Sequence, residues 1–318
     1  MLRLTRRSAL VGALAFGATA RAQDRPLRLV VGYPAGAGSD TVARLLADKM
    51  REQLGRPVIV ENKPGGAGVI ANMAVKVAPP DGSTLLLSPL ANMVAFPHSY
   101  SKLDYDPFRD YVPVAHVASF QLAFGVGPKV AATTLAEYVA LVRTGGDYAN
   151  FSSAATGSLP HFFGLLFART AGLDMTYVPY KGTAQVLQAL LASEIPAAVL
   201  AVPDLGALVQ SGKGRILATS GAFRSLQYPD VPTFKESGYA IEGAAWYALF
   251  APAGTPKEIV DPLARAAIEA ARQSDLKARL APLGLEVTGL GPAELAAILR
   301  ADYDKWGPVI RASGFKAD

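Results

Sequence analysis

Short apolar runs alternate with amphipathic stretches along nearly the whole chain. Leu27–Val31 has the length and apolar content of a strand. After it, Val42, Leu45, Leu46 and Met50 fall on one face of a helix predicted over 41–54. A second strand is predicted at 57–60 and a helix over 69–77, ended by the Pro79-Pro80-Asp81-Gly82 turn, with a third strand at 84–88. A long strand-like stretch, 112–126, has no helix directly behind it. Alternation then resumes with a helix over 134–143, a strand at 148–152, an apolar helical stretch at 162–168, and further elements at 176–178, 184–192, 197–202, 205–211 and 215–218. A second strand-like stretch at 241–252 precedes helices over 258–272, 274–281 and 293–313.

Strands and helices alternating at this spacing predict parallel sheets covered by helices on both faces. Two glycine-rich loops each begin their own strand–helix series, which predicts two similar domains. The stretches 112–126 and 241–252 read as crossings between them. On that basis 23–124 and 247–318 form a discontinuous first domain and 125–246 the second, with strand carboxyl ends facing a shared cleft.

The N-terminus changes the charge balance. Arg3, Arg6 and Arg7 precede an apolar run at 9–18, and Ala20-Arg21-Ala22 offers a cleavage site, the order of a secretory signal peptide over 1–22. The paired Arg6-Arg7 leaves Sec and twin-arginine export both open. The run is too short for a membrane span, which needs roughly 20 residues. Those 22 residues hold four of the 31 basic side chains and no acid, leaving 27 basic against 26 acidic. The basic balance of the whole chain therefore does not indicate nucleic acid, and no basic stripe follows. A periplasmic location is expected. The absence of cysteine excludes disulfides, thiol nucleophiles and Cys-ligated zinc.

The chemistry concentrates in the two loops. The first is Tyr33-Pro34-Ala35-Gly36-Ala37-Gly38-Ser39-Asp40, the second Ala154-Ala155-Thr156-Gly157-Ser158-Leu159-Pro160-His161. A strand, a small-residue loop and a helix start together aim unpaired backbone N–H groups at an anion. Ser39 and Asp40 fit an N-cap pair for the first helix. Asp40 would repel a bound carboxylate unless turned away, which leaves the loop amides and Ser39 to bind. Nucleotide fingerprints fail: Thr41 stands where G-x-G-x-x-G requires glycine, and Ser211 breaks the P-loop spacing from Gly206 to Lys213. His98, His116 and His161 have no ligand spacing, so no metal is expected. Ser158 and His161, three apart, allow a serine hydrolase as an alternative, although G-x-S-x-G is absent. Trp246 is open between core and ligand stacking, and Trp306 reads as core.

These residues bring a family into view. The chain resembles the Bug receptors, the TctC-type substrate-binding proteins of tripartite tricarboxylate transporters. The resemblance rests on the first loop, on Val60-Glu61-Asn62-Lys63-Pro64-Gly65-Gly66-Ala67-Gly68, and on Ala78-Pro79-Pro80-Asp81-Gly82. It continues through Tyr105-Asp106-Pro107, Gly157-Ser158 with His161, Val178-Pro179-Tyr180-Lys181-Gly182, Pro229-Asp230-Val231-Pro232-Thr233 and Leu249-Phe250-Ala251-Pro252-Ala253-Gly254-Thr255-Pro256.

The resemblance implies a type II periplasmic-binding-protein fold: two α/β domains, two hinge crossings and a ligand cleft between them. It implies no enzyme activity and no cofactor. One ligand carboxylate would be held by Tyr33, Pro34, Ala35, Gly36, Gly38 and Ser39 from the first loop, and by Ala155, Thr156, Gly157 and Ser158 with His161 from the second. The other ligand end would lie against Ser88, Asn92, Tyr180, Lys181, Asp204 and Trp246. The implied partners are a small-molecule carboxylate and the membrane permease of a tripartite transporter, with the receptor a monomer; a ligand-sensing subunit is the further alternative. Two departures matter: Ala197 stands where the family usually has Asp, and Ser88-Pro89-Leu90-Ala91-Asn92-Met93 replaces a glycine-serine run. With Lys181 the only basic residue of that wall, the far pocket is expected to be apolar, favouring an aromatic or medium-chain carboxylate.

Overall fold

The computed structural model describes residues 25–180 and 182–317; the predicted signal peptide and Lys181 lie outside the described residues. The chain begins with β1 (Leu27–Val31), α1 (Gly38–Leu54), β2 (Val58–Asn62), α2 (Val69–Lys76) and β3 (Thr84–Pro89). A single 16-residue strand, β4 (Tyr111–Val126), follows. Next come α3 (Leu135–Arg143), β5 (Asn150–Ser152), α4 (Leu159–Ala171), β6 (Thr176–Tyr177), α5 (Thr183–Leu191), β7 (Ala197–Ala201) and β8 (Arg215–Thr219). The chain continues through β9 (Ala244–Pro252), α6 (Lys257–Arg272), α7 (Ser274–Leu280), β10 (Glu286–Leu290) and α8 (Pro292–Ala312).

Strand β4 is the spine. Its first part pairs antiparallel with β9 and β10, and Leu122–Val126 pairs antiparallel with β7, so one strand runs continuously from one sheet into the other. The first sheet adds β3, β1 and β2 beyond β9, and the second adds β5 and β6 beyond β7. The expected parallel pairing holds for β1 with β2 and β3, and for β5 with β6 and β7. The strands of the two long stretches, β4 and β9, run antiparallel to their neighbours, and of the two only β4 pairs in both sheets. Pro113 sits inside β4 opposite Phe250, beside a register shift between Pro113 and Ala115, the kind of irregularity at which a strand tolerates proline.

Strand alternation sorts the core into layers. Leu27, Leu29 and Val31 of β1 face α1 and α6, while Val30 turns to the opposite face. Ala198 and Leu200 of β7 face α5, while Ala197 and Val199 join that same opposite layer. This shared layer runs under both sheets and holds Phe124, Tyr138, Phe163, Phe167, Phe234 and Trp306. Trp306 on α8 lies 6.2 Å from Phe163 on α4, so the terminal helix packs on both halves of the molecule. The hydrophobic term holding this layer is large: each buried aromatic of this kind contributes roughly 2–3 kcal/mol.

Because β1, β2 and β3 are parallel, the segments that follow them open on one sheet edge. These are the first glycine loop, residues 63–68 and residues 90–95. The same holds for the segments after β5, β6 and β7, which are the second glycine loop, residues 178–180 and residues 202–204.

Candidate functional site

The first loop is built around a buried carboxylate. Asp40 is 2% exposed. Its Oδ2 accepts the Gly36 amide at 2.8 Å and Arg44 Nε at 2.9 Å, and its Oδ1 accepts Asn62 Nδ2 at 2.8 Å. Burial alone would raise this carboxyl, but the hydrogen bonds from Arg44, Gly36 and Asn62 and the Arg44 charge outweigh it and hold it down at about 2. Asn62 also donates to the Tyr33 carbonyl at 3.0 Å, tying the end of β2 to the end of β1. Gly36 turns the chain with φ +86°, leaving Pro34, Ala35, Gly36 and Gly38 exposed at the tip.

The N-cap prediction is corrected here. Helix α1 begins at Gly38 with Ala37 as N-cap, and no side chain caps it. Ser39 and Asp40 are therefore inside the first turn, both buried. The N–H groups of Gly38, Ser39 and Asp40 have no intrahelical acceptor, which leaves a bare positive helix end behind an exposed glycine tip.

Around this tip, three segments are stitched together. The Tyr33 hydroxyl lies 3.0 Å from the Ala67 carbonyl and 3.1 Å from Asn92 Oδ1. Asn92 Nδ2 donates to the same Ala67 carbonyl at 3.1 Å, and Tyr105 donates to the Asn92 carbonyl at 2.6 Å. Ala67 adopts φ +51° in the turn closed by Gly68 N–H to Gly65 C=O. Burial, with smaller contributions from Tyr247 and Tyr100, pushes the Tyr33 hydroxyl up to about 12.

In the second loop, Ser158 is the N-cap of α4, yet its hydroxyl does not cap: it donates back to the Ala155 carbonyl at 2.6 Å. The Gly157 amide donates to His161 Nδ1 at 3.1 Å, which places the proton of the neutral ring on Nε2. Burial pushes this imidazole down to about 4. The ring centre lies 3.9 Å from that of Tyr177, the two planes tilted by 39°, and the Tyr177 hydroxyl lies 3.2 Å from Ser153 Oγ and 3.4 Å from Thr156 Oγ1. Ala155 and Thr156 are exposed, and Gly157 and Ser158 half-buried. Ser158 and His161 each bond elsewhere rather than to one another, so no nucleophile–base pair is formed.

Other predicted residues fall in different places. Ser88 and Asn92 are fully buried: Asn92 organises Ala67 and Tyr33, and Ser88 Oγ has no hydrogen-bond partner. Tyr180 points its hydroxyl at Glu194, 3.4 Å away and just ahead of the amino end of β7, opposite the carboxyl edge. Asp204, half-buried after β7, is raised by burial, with hydrogen bonds from Ala201 and Thr183 acting against the rise.

Trp246 is a correction: it is 2% exposed, and its Nε1 donates to Asp302 on α8 at 2.9 Å. Its neighbour Tyr247 lies on the other face of β9 and meets the first loop, its hydroxyl 3.2 Å from where a side chain on Gly38 would begin. Alternation along β9 was the signal that separates the two. Tyr177 and Asn62 were also missed, because only the fold brings them to the loops. Among the described residues, no hydrogen bond passes between the first loop and the second.

Bare N-termini are not confined to α1 and α4. At the same carboxyl edges, α2 behind Gly65, Gly66 and Gly68, and α5 behind Gly182, also start without a side-chain cap; α1 and α4 are the two whose preceding loops carry the strongest sequence motifs.

Comparison with known proteins fits this geometry. The family model for the tripartite tricarboxylate transporter family receptor, TctC, matches residues 42–315. A UPF0065 protein from the gbd 5' region of Cupriavidus necator is 33% identical over 96% of this chain and 94% of its own length. BugT of Bordetella pertussis is 31% identical over 92% of this chain and 90% of its own. Among solved structures, a Rhodopseudomonas palustris protein with adipate superposes with a TM-score of 0.76 at 28% identity, covering 92% of this chain and 98% of that one. MatC from Rhodopseudomonas palustris, with bound malate, gives 0.72 at 32% identity over 90% and 99%. The periplasmic binding protein BugD gives 0.72 at 29% over 92% and 98%. The architecture is thus the α/β fold of these periplasmic binding proteins, and the chain belongs to the tripartite tricarboxylate transporter receptor family, whose members are solute-binding proteins and not enzymes.

Proposed function

We propose that this chain is a receptor for a small carboxylate, which it holds between the two glycine loops and presents to the membrane permease of a tripartite transporter. The observation that carries the proposal is the pair of bare helix ends, α1 and α4, each opening behind a glycine loop at a carboxyl sheet edge. Such ends stabilise an anion through N–H groups that have no other acceptor. Asp40 does not oppose the anion, because its charge is met by Arg44 and Asn62. The adipate and malate in the two Rhodopseudomonas palustris relatives support the ligand class.

The solute class we favour is an aromatic or medium-chain mono- or dicarboxylate. Capture proceeds by closure of 125–246 over 23–124 with 247–318 about β4 and β9, and the permease selects the closed form. The receptor acts as a monomer in the periplasm after removal of 1–22. A sensing role would use the same site; uptake in a deletion strain separates the two.

The test is a thermal-shift screen of the mature protein with adipate, malate, benzoate and their methyl esters. A bound acid at 100 times its Kd adds about 2.7 kcal/mol of stability. We expect a shift with at least one acid and none with its ester. Equal shifts from acid and ester would refute anion recognition by the loops, and release of alcohol from an ester would restore the hydrolase alternative.

A further inference from the structure

The C-terminal tail reaches the second glycine loop. Beyond α8 the chain turns at Gly314, with φ +68°, and delivers Phe315 to the start of α4. The Phe315 ring lies edge-on to His161 at 6.2 Å and to Phe162 at 5.9 Å between ring centres. It also fills the space beside Gly157, where a Cβ would stand 2.2 Å from Phe315 Cζ. Two residues later the Ala317 amide donates to the Ser99 carbonyl at 2.8 Å, in the segment that follows β3. The tail therefore touches both halves of the molecule within three residues.

The Ala155 carbonyl of the loop it touches is held by Ser153 and Ser158 and the Ala154 carbonyl by the Gly182 amide, while Gly157 depends on a side chain further on. Ala155 and Thr156 are exposed, and Gly157 sits at φ +76°, where glycine keeps the widest freedom. Its amide donates to His161 Nδ1, so the aim of Gly157 depends on that imidazole. The imidazole is in turn flanked by Tyr177 and by Phe315.

We propose that Phe315 is a positioning residue of the solute site: its ring packs His161 and Gly157 in place, so that the amides of the second loop and the first turn of α4 keep one aim, while the Ala317–Ser99 bond anchors that support to the first half of the molecule. This rests on the loop being the solute grip. The ring touches the loop and leaves the solute to the amides.

The experiment compares the wild type with Phe315→Ala, Phe315→Leu and Phe315→Tyr by hydrogen–deuterium exchange without ligand and by calorimetric titration with adipate, benzoate and malate. In Phe315→Ala we expect exchange across 155–161 to rise about tenfold with β1 and β7 unchanged, a local opening. Affinity for whichever acid binds the wild type should fall by a similar factor. Phe315→Tyr should restore both, and Phe315→Leu should lie between. Unchanged exchange at 155–161, or a uniform rise that includes β1 and β7 in both the Ala and Leu variants, would overturn the proposal. Faster local exchange with undiminished affinity would overturn its bearing on the site. If the wild type binds no acid, the reading of the loops as a grip fails, while the exchange arm still decides whether Phe315 orders them.

Discussion

The amide of Gly157 donates to Nδ1 of His161 across 3.1 Å. The imidazole is thereby a fixed neutral acceptor inside the second loop rather than a base for Ser158, whose hydroxyl is turned to the Ala155 carbonyl. Together these two bonds hold Gly157 and leave no pair of the kind a hydrolase would need.

It also implies an acid-sensitive fold. Burial pushes His161 and His116 down to about 4, and lowers His98 in direction, against an ordinary value of about 6.5. Between those values the unfolded chain binds more protons than the folded one, so stability rises with pH through this window. It is complete above about 6.5 and is lost as pH falls toward 4. The His116 contribution is on the order of 3 kcal/mol. Asp40 and Asp110, held at about 2, add a second loss only below about 3.9. Urea midpoints measured from pH 7.5 down to 4 should fall steadily; a flat profile between pH 7 and 5 would contradict this.

Asp40→Asn should loosen the first loop. The carboxylate accepts three donors, from Gly36, Arg44 and Asn62, and an amide must turn its own NH2 toward one of them. The expected cost is about 2 kcal/mol, since a buried charge-assisted bond is replaced by facing donors. Chemical denaturation reads it, and an unchanged midpoint would mean that the loop holds its shape without the charge.

Gly157→Ala carries two penalties that can be separated. The left-handed backbone costs a side chain about 1–2 kcal/mol, and the new Cβ meets the Phe315 ring. In the double variant with Phe315→Ala the second penalty disappears, so the two changes should be less than additive in a double-mutant cycle. Strict additivity would show that the ring and the glycine do not meet in solution.

Trp246→Phe and Tyr247→Phe should act on different properties. The first removes the donor to Asp302 and should lower stability by about 1–3 kcal/mol with carboxylate affinity unchanged. The second removes a hydroxyl beside Gly38 and should weaken carboxylate binding with little change in melting temperature. The opposite pattern would return Trp246 to the cleft.

Ala67→Gly is expected to stabilise. Ala67 is held at φ +51° by its turn and by donors from Tyr33 and Asn92. Relief of that strain exceeds the added entropy of glycine by up to about 1 kcal/mol. A lower melting temperature would mean that the Ala67 methyl group contributes packing worth more than the strain.

The hydrophobic pattern alone determined the alternation of elements and the two glycine loops at helix starts. Each of these depends on residues near in sequence, where periodicity and turn chemistry act. Leu27–Val31 and β3 were legible for that reason. The resemblance of the motifs then supplied the family and its solute class. What only the tertiary structure decided is where side chains spend their polar groups. Asp40 on α1 accepts a hydrogen bond from Asn62 at the end of β2, and Asn92 is consumed by Tyr33 and Ala67. Trp246 is claimed by Asp302, 56 residues away, and Phe315 reaches Gly157 from the far end of the chain. Such pairings depend on register and helix packing summed over the whole molecule, so no local window contains them. The two loops are therefore written in the sequence, and the network that fixes their aim exists only in the fold.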